Sequence, residues 1–509
     1  MKICLIYPIW QPSFYENEIG CHWPPIGIAY IAAYLRKHRH EVTLIERRSL
    51  IGKRYALSQD EMLNKLTIEK LQTIKPDYVG ITATTPLILD AYETARVVKK
   101  YNKNISVIVG GCHPTALPET TLNECPEIDV VVIGEGELTM LDLVSGKPYK
   151  TINGIAYREA NKIILTPRRG FHQNLDDFPF PARDLFDKNK YFQNDSYLIR
   201  GYLVKGTGIL AARGCPFRCN FCQSGQLAVS GTGNYMRFHS PEYVIEQIQQ
   251  LIKDFGLNGI LFTEDLFSAK KENVSKICEL MLKNKINNEI KWAANLRVDT
   301  VEKDLLDLMK GAGCVQVVYG CESGSQRTLN RMKKKTTVEK NHKAIQLAKQ
   351  SGLEVEVNMI VGTPDETKDD FLETIDFLKK AKPHRVNRGK FYPLPGTPFY
   401  EELKQNGKLK DMKIWSDLWD LYVPNEHTFA NITPNDFVKL QAKMDREVTY
   451  PINTVYHIKN NLKDNPLVSL RYIIFLILTV SVLHLPIWAQ RAFRVFAVKL
   501  KIHSKLVTD

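Results

Sequence analysis

The chain has 509 residues, 44% of them hydrophobic and 25% charged, with a formal net charge of +13. That length allows two or three domains with full cores, and the balance is that of an ordinary globular protein, which sets aside a disordered or fibrous chain. The positive charge suits nucleic acid, an anionic membrane surface or phosphorylated substrates. No long basic-aromatic tract occurs in the first 460 residues, however, so nucleic acid is not favoured.

Residues 1–146 read as alternating strands and helices. The opening MKICLIYPIWQP has too short an apolar run for a secretory signal and suits a buried strand. A reducing, cytoplasmic setting follows, in which the 10 cysteines serve as thiols or metal ligands rather than disulfides. PPIGIAYIAAYLRKHRH has helical periodicity, EVTLIE is a second strand, and EMLNKLTIEKLQTI is a helix. DYVGITATT, the helix LILDAYETARVVKKYN, ISVIVGG, a short helix near LPETTL, and DVVVIGEGE complete the series. Near-continuous Val and Ile strands between helices indicate a parallel sheet covered on both faces, whose ligands bind at the carboxyl ends of the strands. Those ends carry Thr82, Thr84 and Thr85, then Gly110, Gly111 and His113, then Gly134, Glu135 and Gly136.

Residues 147–200, rich in Pro, Asp and aromatics, read as a linker. From about 205 a second alternation begins, with strands GILAA, GILFTED, KWAANLR, VQVVYGCES, EVEVNMIVG and VNRGKFYPL. Six strand–helix units make a partial or complete barrel with its reactive face at the strand C-termini. The expected domains are therefore 1–146, the linker 147–200, a barrel over 201–430 and a helical region over 431–509.

The first barrel strand leads into AARGCPFRCNFCQSG, which holds Cys215, Cys219 and Cys222. A tidy structural zinc site needs a fourth ligand, and no Cys or His is close enough in sequence to supply one. An iron–sulfur cubane suits the C-x3-C-x2-C spacing better, with three irons on the cysteines and the fourth open to a ligand. Arg213 and Arg218 add positive charge, and Phe221 is placed to pack over a planar group.

CPFRCNFC with the following strand–helix pattern resembles the radical S-adenosylmethionine (SAM) superfamily. The resemblance implies a 4Fe-4S cluster whose open iron chelates SAM, and reductive cleavage of SAM to a 5′-deoxyadenosyl radical. It also implies positions for SAM contacts. Glu264 and Asp265 in FTEDLF match the segment that meets the SAM amino group; the alternative is that one of them caps the next helix. Glu322 and Ser323 in GCESGS match the segment that approaches its ribose or carboxylate. Arg297 in NLRVD faces the same way if alternation holds, with an ion pair as the alternative. NMIVGTPDET resembles the strand end that packs on adenine.

PPIGIAYIAAYLRK, ITATTP, GGCHPTALPE and IGEGE, in that order before the barrel, resemble the cobalamin-binding class of the superfamily. The expected fold is thus α/β: a Rossmann-like parallel-sheet cobalamin domain, then a radical SAM (β/α)6 partial TIM barrel and a helical C-terminal region. Cobalamin would rest against Thr82, Thr84, Thr85, Gly110, Gly111, His113, Gly134, Glu135 and Gly136. The D-x-H-x-x-G loop that supplies a lower histidine ligand in some cobalamin domains is absent from PIWQPSFYENEIGCHW, so a histidine on cobalt is not expected. The alternative is a sheet domain that binds no cofactor.

The class implies an enzyme that methylates an unactivated carbon, or else an anaerobic cyclase or other radical rearrangement, as in enzymes resembling the magnesium-protoporphyrin ester cyclase. A non-catalytic cobalamin sensor would need no intact SAM site. No catalytic acid, base or nucleophile is singled out. Expected partners are a small-molecule or lipid-like substrate and a reductant such as flavodoxin or ferredoxin. The uncharged stretch 472–490, followed by a basic run, reads either as a membrane-dipping or transmembrane anchor, with the protein at the inner face of the membrane, or as a buried helix.

Overall fold

The computed structural model describes residues 1–9, 24–51, 60–195, 198–409, 415 and 428–461. The stretch 472–490 lies outside the described residues, among which no helix is long and apolar enough to cross a membrane. The chain forms two compact units that do not follow its order. The first comprises Met1–Tyr191, Arg213–His239 and Pro393–Trp419, and the second comprises Phe192–Ala212, Ser240–Tyr392 and Asp420–Asp509. The expected boundaries at 146, 200 and 430 run along the chain. The segment with the three cysteines instead groups with the N-terminal sheet.

That sheet has strands β1 (Lys2–Tyr7), β2 (Glu41–Glu46), β3 (Tyr78–Thr82), β4 (Ser106–Gly110), β5 (Val130–Val132), β6 (Ile155–Glu159) and β7 (Lys162–Leu165). Their spatial order is β2-β1-β3-β4-β5-β6-β7. The first five run parallel, and the chain reverses its winding between β1 and β3, a switch point that opens a crevice at the strand C-termini. Val79, Ile81, Val107, Val109 and Val131 are buried in the core of this sheet, as their unbroken apolar runs require.

The segment read as a linker contributes sheet structure. β6 and β7 form a hairpin that extends the sheet antiparallel to β5. Its turn places Ala160 and Asn161 at φ 45° and 65°. Both left-handed positions suit a tight turn matched to strand twist, and Asn tolerates that region better than most residues. The mixed polarity of IAYRE and KIIL hides the strands, because one side of an edge hairpin is left to solvent.

A buried ion pair sets part of this unit's stability. Arg47 and Asp90 are 1% and 2% exposed and pair at 2.9 Å, while the Ile9 amide donates to the same carboxylate at 2.7 Å. Asp90→Ala strands the guanidinium and is expected to destabilise the first unit by ~3–5 kcal/mol, read as a lower denaturant midpoint of its transition.

The second unit holds a sheet of β8 (Asn194–Asp195), β9 (Val204–Ile209), β10 (Gly259–Phe262), β11 (Lys291–Leu296), β12 (Cys314–Glu322), β13 (Glu354–Val361) and β14 (Arg385–Lys390). β9 to β14 are parallel neighbours in sequence order, with β8 antiparallel at one edge. Among the described residues β14 pairs with no strand beyond β13, so the six parallel strands form an open sheet. Helices between strands begin where the sequence stops them well. Ser240 caps a helix at Tyr243 with Pro241 behind it, and Thr367 and Asp370 form a reciprocal capping box. The helices Pro434–Met444 and Tyr450–Asn461 belong to this unit, fastened to β14 by the two-toothed Arg388–Asp445 pair at 3.0 Å.

Candidate active site

In the first unit the three cysteines lie on an irregular segment. Cys219 is 8% exposed, and Cys215 and Cys222 are half-buried. The Cys222 amide donates to the Cys219 carbonyl at 3.1 Å, which bends the segment back on itself. Two bonds hold it from outside. Phe399 donates its amide to the Asn220 carbonyl and Gln223 donates to the Pro395 carbonyl, each at 3.2 Å. Phe221 is half-buried and Arg218 is exposed. Among the described residues no three His, Cys, Asp or Glu side chains are grouped to hold one metal ion. A cubane asks for something wider, since each thiolate takes a different iron.

The same unit places the glycine-rich strand ends. Thr82 ends β3 half-buried, Thr84 is exposed and Thr85 is buried. Gly111 follows β4 at φ 113°, and a Cβ there would come within 2.5 Å of the Ala83 carbonyl oxygen. Only glycine fits, so the backbone of Gly110–Gly111 stays bare at the sheet edge. His113 is fully buried, its Nδ1 3.3 Å from the Thr85 hydroxyl and its Nε2 without a partner among the described residues. Burial pushes its pKa down to about 3, so the imidazole is neutral. Its ring meets Trp415 edge-on at 4.6 Å. Gly134 donates its amide to the Thr115 hydroxyl at 3.0 Å, and Gly136 passes so close to Ile31 that a Cβ would sit 2.8 Å from it. The Glu135 carboxylate is engaged by Arg237 at 2.5 and 2.9 Å.

In the second unit the barrel strand ends carry the other expected residues. Glu264 and Asp265 follow β10 and separate sharply, because Glu264 is buried and Asp265 exposed. Among the described residues neither carboxylate oxygen of Glu264 meets a partner at hydrogen-bond geometry. Burial pushes its pKa up to about 8, only partly offset by the nearby amides of Glu264 and Ala211. A buried carboxyl so weakly satisfied by its own backbone is suited to take a donor from a ligand.

Glu322 ends β12 at φ 64°, its carboxylate folded back over Gly320, where a Cβ would lie 2.5 Å from Oε1. That carboxylate accepts from the buried Lys334 ammonium at 2.8 Å. Lys333 and Lys335, on either side, are also left-handed at φ 50° and 55°. Three such non-glycine residues cost ~1 kcal/mol or more each, the kind of strain that collects at functional sites. Ser323 is fully buried and its hydroxyl faces inward, 3.2 Å from the Thr374 hydroxyl and accepting the Ser325 amide at 3.0 Å. Arg297 is buried, and its partners include the Asp299 carboxylate at 2.6 Å and the Lys334 carbonyl. Lys334 and Arg237 were not anticipated from sequence. RMKKK reads as a solvated basic run, and nothing local marks its middle lysine as buried.

The Radical SAM superfamily profile matches residues 209–378 and the B12 binding domain profile matches residues 13–144. An uncharacterized methyltransferase of Pyrococcus horikoshii is 35% identical over 416 residues, covering 81% of this chain and 85% of that protein. The chain belongs to the radical SAM superfamily. This radical SAM enzyme is also 29% identical to the anaerobic magnesium-protoporphyrin IX monomethyl ester cyclase of Rubrivivax gelatinosus, over 84% of this chain and 74% of the cyclase. The cobalamin-dependent SAM radical enzyme OxsB, solved with aqua-cobalamin and SAM bound, shares its fold. The TM-score is 0.67 at 19% identity, over 99% of this chain and 75% of OxsB.

The residues present fit the cofactors of that family. Three thiols within eight residues supply the donors for a cluster, bare glycine backbone at the C-terminal end of β4 suits close approach by a large planar cofactor, and buried Glu264 suits an amino group. Lys334→Met would leave Glu322 buried without its cation. The expected loss is ~3–5 kcal/mol of stability. Glu322→Gln placed beside Lys334→Met should restore most of it, measured by denaturation.

Proposed function

We propose that this radical SAM enzyme methylates an unactivated carbon, using cobalamin held at the C-terminal edge of the N-terminal sheet. The observation that carries the reading is a single compact unit that contains both the glycine-rich strand ends and the segment of Cys215, Cys219 and Cys222. The 35% identical methyltransferase supports methylation. The cyclase relative favours oxidative cyclisation as a second reading.

In this reading Cys215, Cys219 and Cys222 hold the 4Fe-4S cluster, and Phe221 packs beside it. Glu264 takes a hydrogen bond from the SAM amino group and gives up its proton as it does so. The Lys334 ammonium, held by Glu322, meets the SAM carboxylate, while Glu322 itself is left to face the ribose. Ser323 and Arg297 act through the loops they brace, and exposed Asp265 has the weaker claim to SAM. Thr82, Thr84, Thr85, Gly110, Gly111, His113, Gly134 and Gly136 line the cobalamin edge. When bound, the cluster supplies the electron that cleaves SAM and cobalamin carries the methyl group. A flavodoxin or ferredoxin is the proposed reductant. A lipid-like substrate at the inner face of a membrane is proposed on the strength of the uncharged stretch 472–490.

The test is anaerobic reconstitution with cobalamin, then turnover with extracts and product analysis. Methylation yields S-adenosylhomocysteine together with 5′-deoxyadenosine, because one SAM donates the methyl and another is cleaved. Cyclisation yields 5′-deoxyadenosine without the first product, and cleavage with no bound cobalt would sink the cobalamin reading.

A further inference from the structure

The turn after β5 carries two carboxylates, and both meet arginines that bracket the cysteine segment. Arg213, just ahead of Cys215, binds Glu137 at 2.7 Å and lies 3.6 Å from Glu135. Arg237, beyond the helix Ser224–Ser230, binds both oxygens of Glu135. The pairs are largely shielded from water, with the Arg213, Glu137 and Arg237 side chains 13%, 5% and 2% exposed and that of Glu135 23%. Aromatic faces complete the enclosure. The Arg213 guanidinium lies 4.9 Å from the centre of the Tyr30 ring and 5.0 Å from that of Phe178, and Arg237 lies 4.9 Å from that of Phe171.

Between the arginines the two ends of the segment come together at a narrow neck, where Ala212–Arg213 pairs with Arg237–Phe238. Gly214, at φ 97°, runs so close to Tyr235 that a Cβ would lie 2.4 Å from its carbonyl oxygen. Within the segment, Ser230 also approaches the turn, where a Cβ on Gly134 would meet its hydroxyl at 3.1 Å.

We infer that Glu135 and Glu137 are positioning residues that clasp both ends of the Cys215–Cys219–Cys222 segment, so the B12-binding domain sets the geometry of the cluster loop. The geometry stands alone, but the identity of the group on the cysteines rests on the proposed function. Two anions and two cations cancel within a poorly solvated pocket, where charge-assisted bonds are strong and directional. Three thiolates must reach three irons at set separations, so slack at the neck reaches every ligand.

The test begins with metal-free protein. In Glu135→Gln, amide hydrogen exchange over 215–236 is expected to rise about tenfold, the effect of weakening one charge-assisted bond, with β1–β5 unchanged. After anaerobic reconstitution the variant should match wild type in cobalamin absorbance. Its reduced cluster should show broadened EPR features and a weakened response to SAM. The neutral pair Arg213→Gln with Glu137→Gln should return exchange to within about threefold of wild type, where either single change does not. Wild-type exchange and EPR in Glu135→Gln would overturn the inference, as would simple additivity in the pair. If Glu135→Gln does not fold, the neutral pair decides on the same two readouts. A wild-type protein that takes up no iron would sink the proposed function and leave the exchange test of the clasp intact.

Discussion

Cys219→Ala is expected to bind cobalamin normally, to take up almost no iron on reconstitution, and to form 5′-deoxyadenosine at no more than about a thousandth of the wild-type rate. Two thiolates are too few to hold a cubane, and cluster cysteines are ligands rather than packing residues. The fold around them does not depend on that thiol. The segment is held by Phe399 on the Asn220 carbonyl and by Gln223 on the Pro395 carbonyl, neither of which involves a side chain of the triad. The control is Cys278→Ala in the second unit. Burial pushes the Cys278 thiol up to about 12, so it is protonated at any working pH and serves as a small apolar group. That variant should lose ~1–2 kcal/mol and keep its iron. An unchanged iron content in Cys219→Ala would remove the basis for a cluster at this site.

Glu264→Gln is expected to weaken SAM binding by about a hundredfold, since the ligand loses a buried charged acceptor. It should also release one proton fewer when SAM binds at pH 7. In the free protein Glu264 holds its proton up to about pH 8, whereas the unfolded chain loses it near the ordinary value of 4.5. The native state therefore binds more protons than the unfolded state across that window. The stability this provides is whole below the unfolded value and is lost as pH rises toward 8, at up to ~1.4 kcal/mol per unit for one such group. Glu366, equally buried, is also pushed up to about 8. Below the ordinary histidine value of 6.5 the depressed pKa values of buried His113 and His239 oppose this trend, so the window that reads the carboxyls is pH 7 to 8. There Glu264→Gln should lessen the loss of stability and leave the share of Glu366, read from denaturation midpoints without any cofactor. An unaltered slope would show that Glu264 is ionised in the folded protein.

Much of this was legible in sequence because it depends on local pattern. Unbroken runs such as DVVVI and ISVIVG fit only strands covered on both faces, and the spacing of Cys215, Cys219 and Cys222 carries its chemistry in the interval itself. Partnerships between distant residues were not legible. Glu135 sits where a cofactor contact was expected, but its carboxylate meets Arg237, a pairing with no trace in either neighbourhood. Lys334 is disguised by the lysines on both sides, and its burial follows from Glu322 turning back at a left-handed angle. The hairpin of β6 and β7 was missed because an edge ladder tolerates charge on one face. Glu264 and Asp265 could not be told apart by spacing, since the difference between them is one of burial.

The interleaving of the two units bears on how the polypeptide is made. On a ribosome, chains emerge at on the order of 5–20 residues per second. The parallel strands β1–β5 are complete by Val132, but the first unit also requires Arg213–His239 and Pro393–Trp419. Its last piece therefore appears only after every barrel strand has been translated. For some tens of seconds the nascent sheet would wait with its partner surface missing. The thiols of the cysteine segment would already be outside the exit tunnel, before the stretch that supplies Phe399 and Pro395 to steady them.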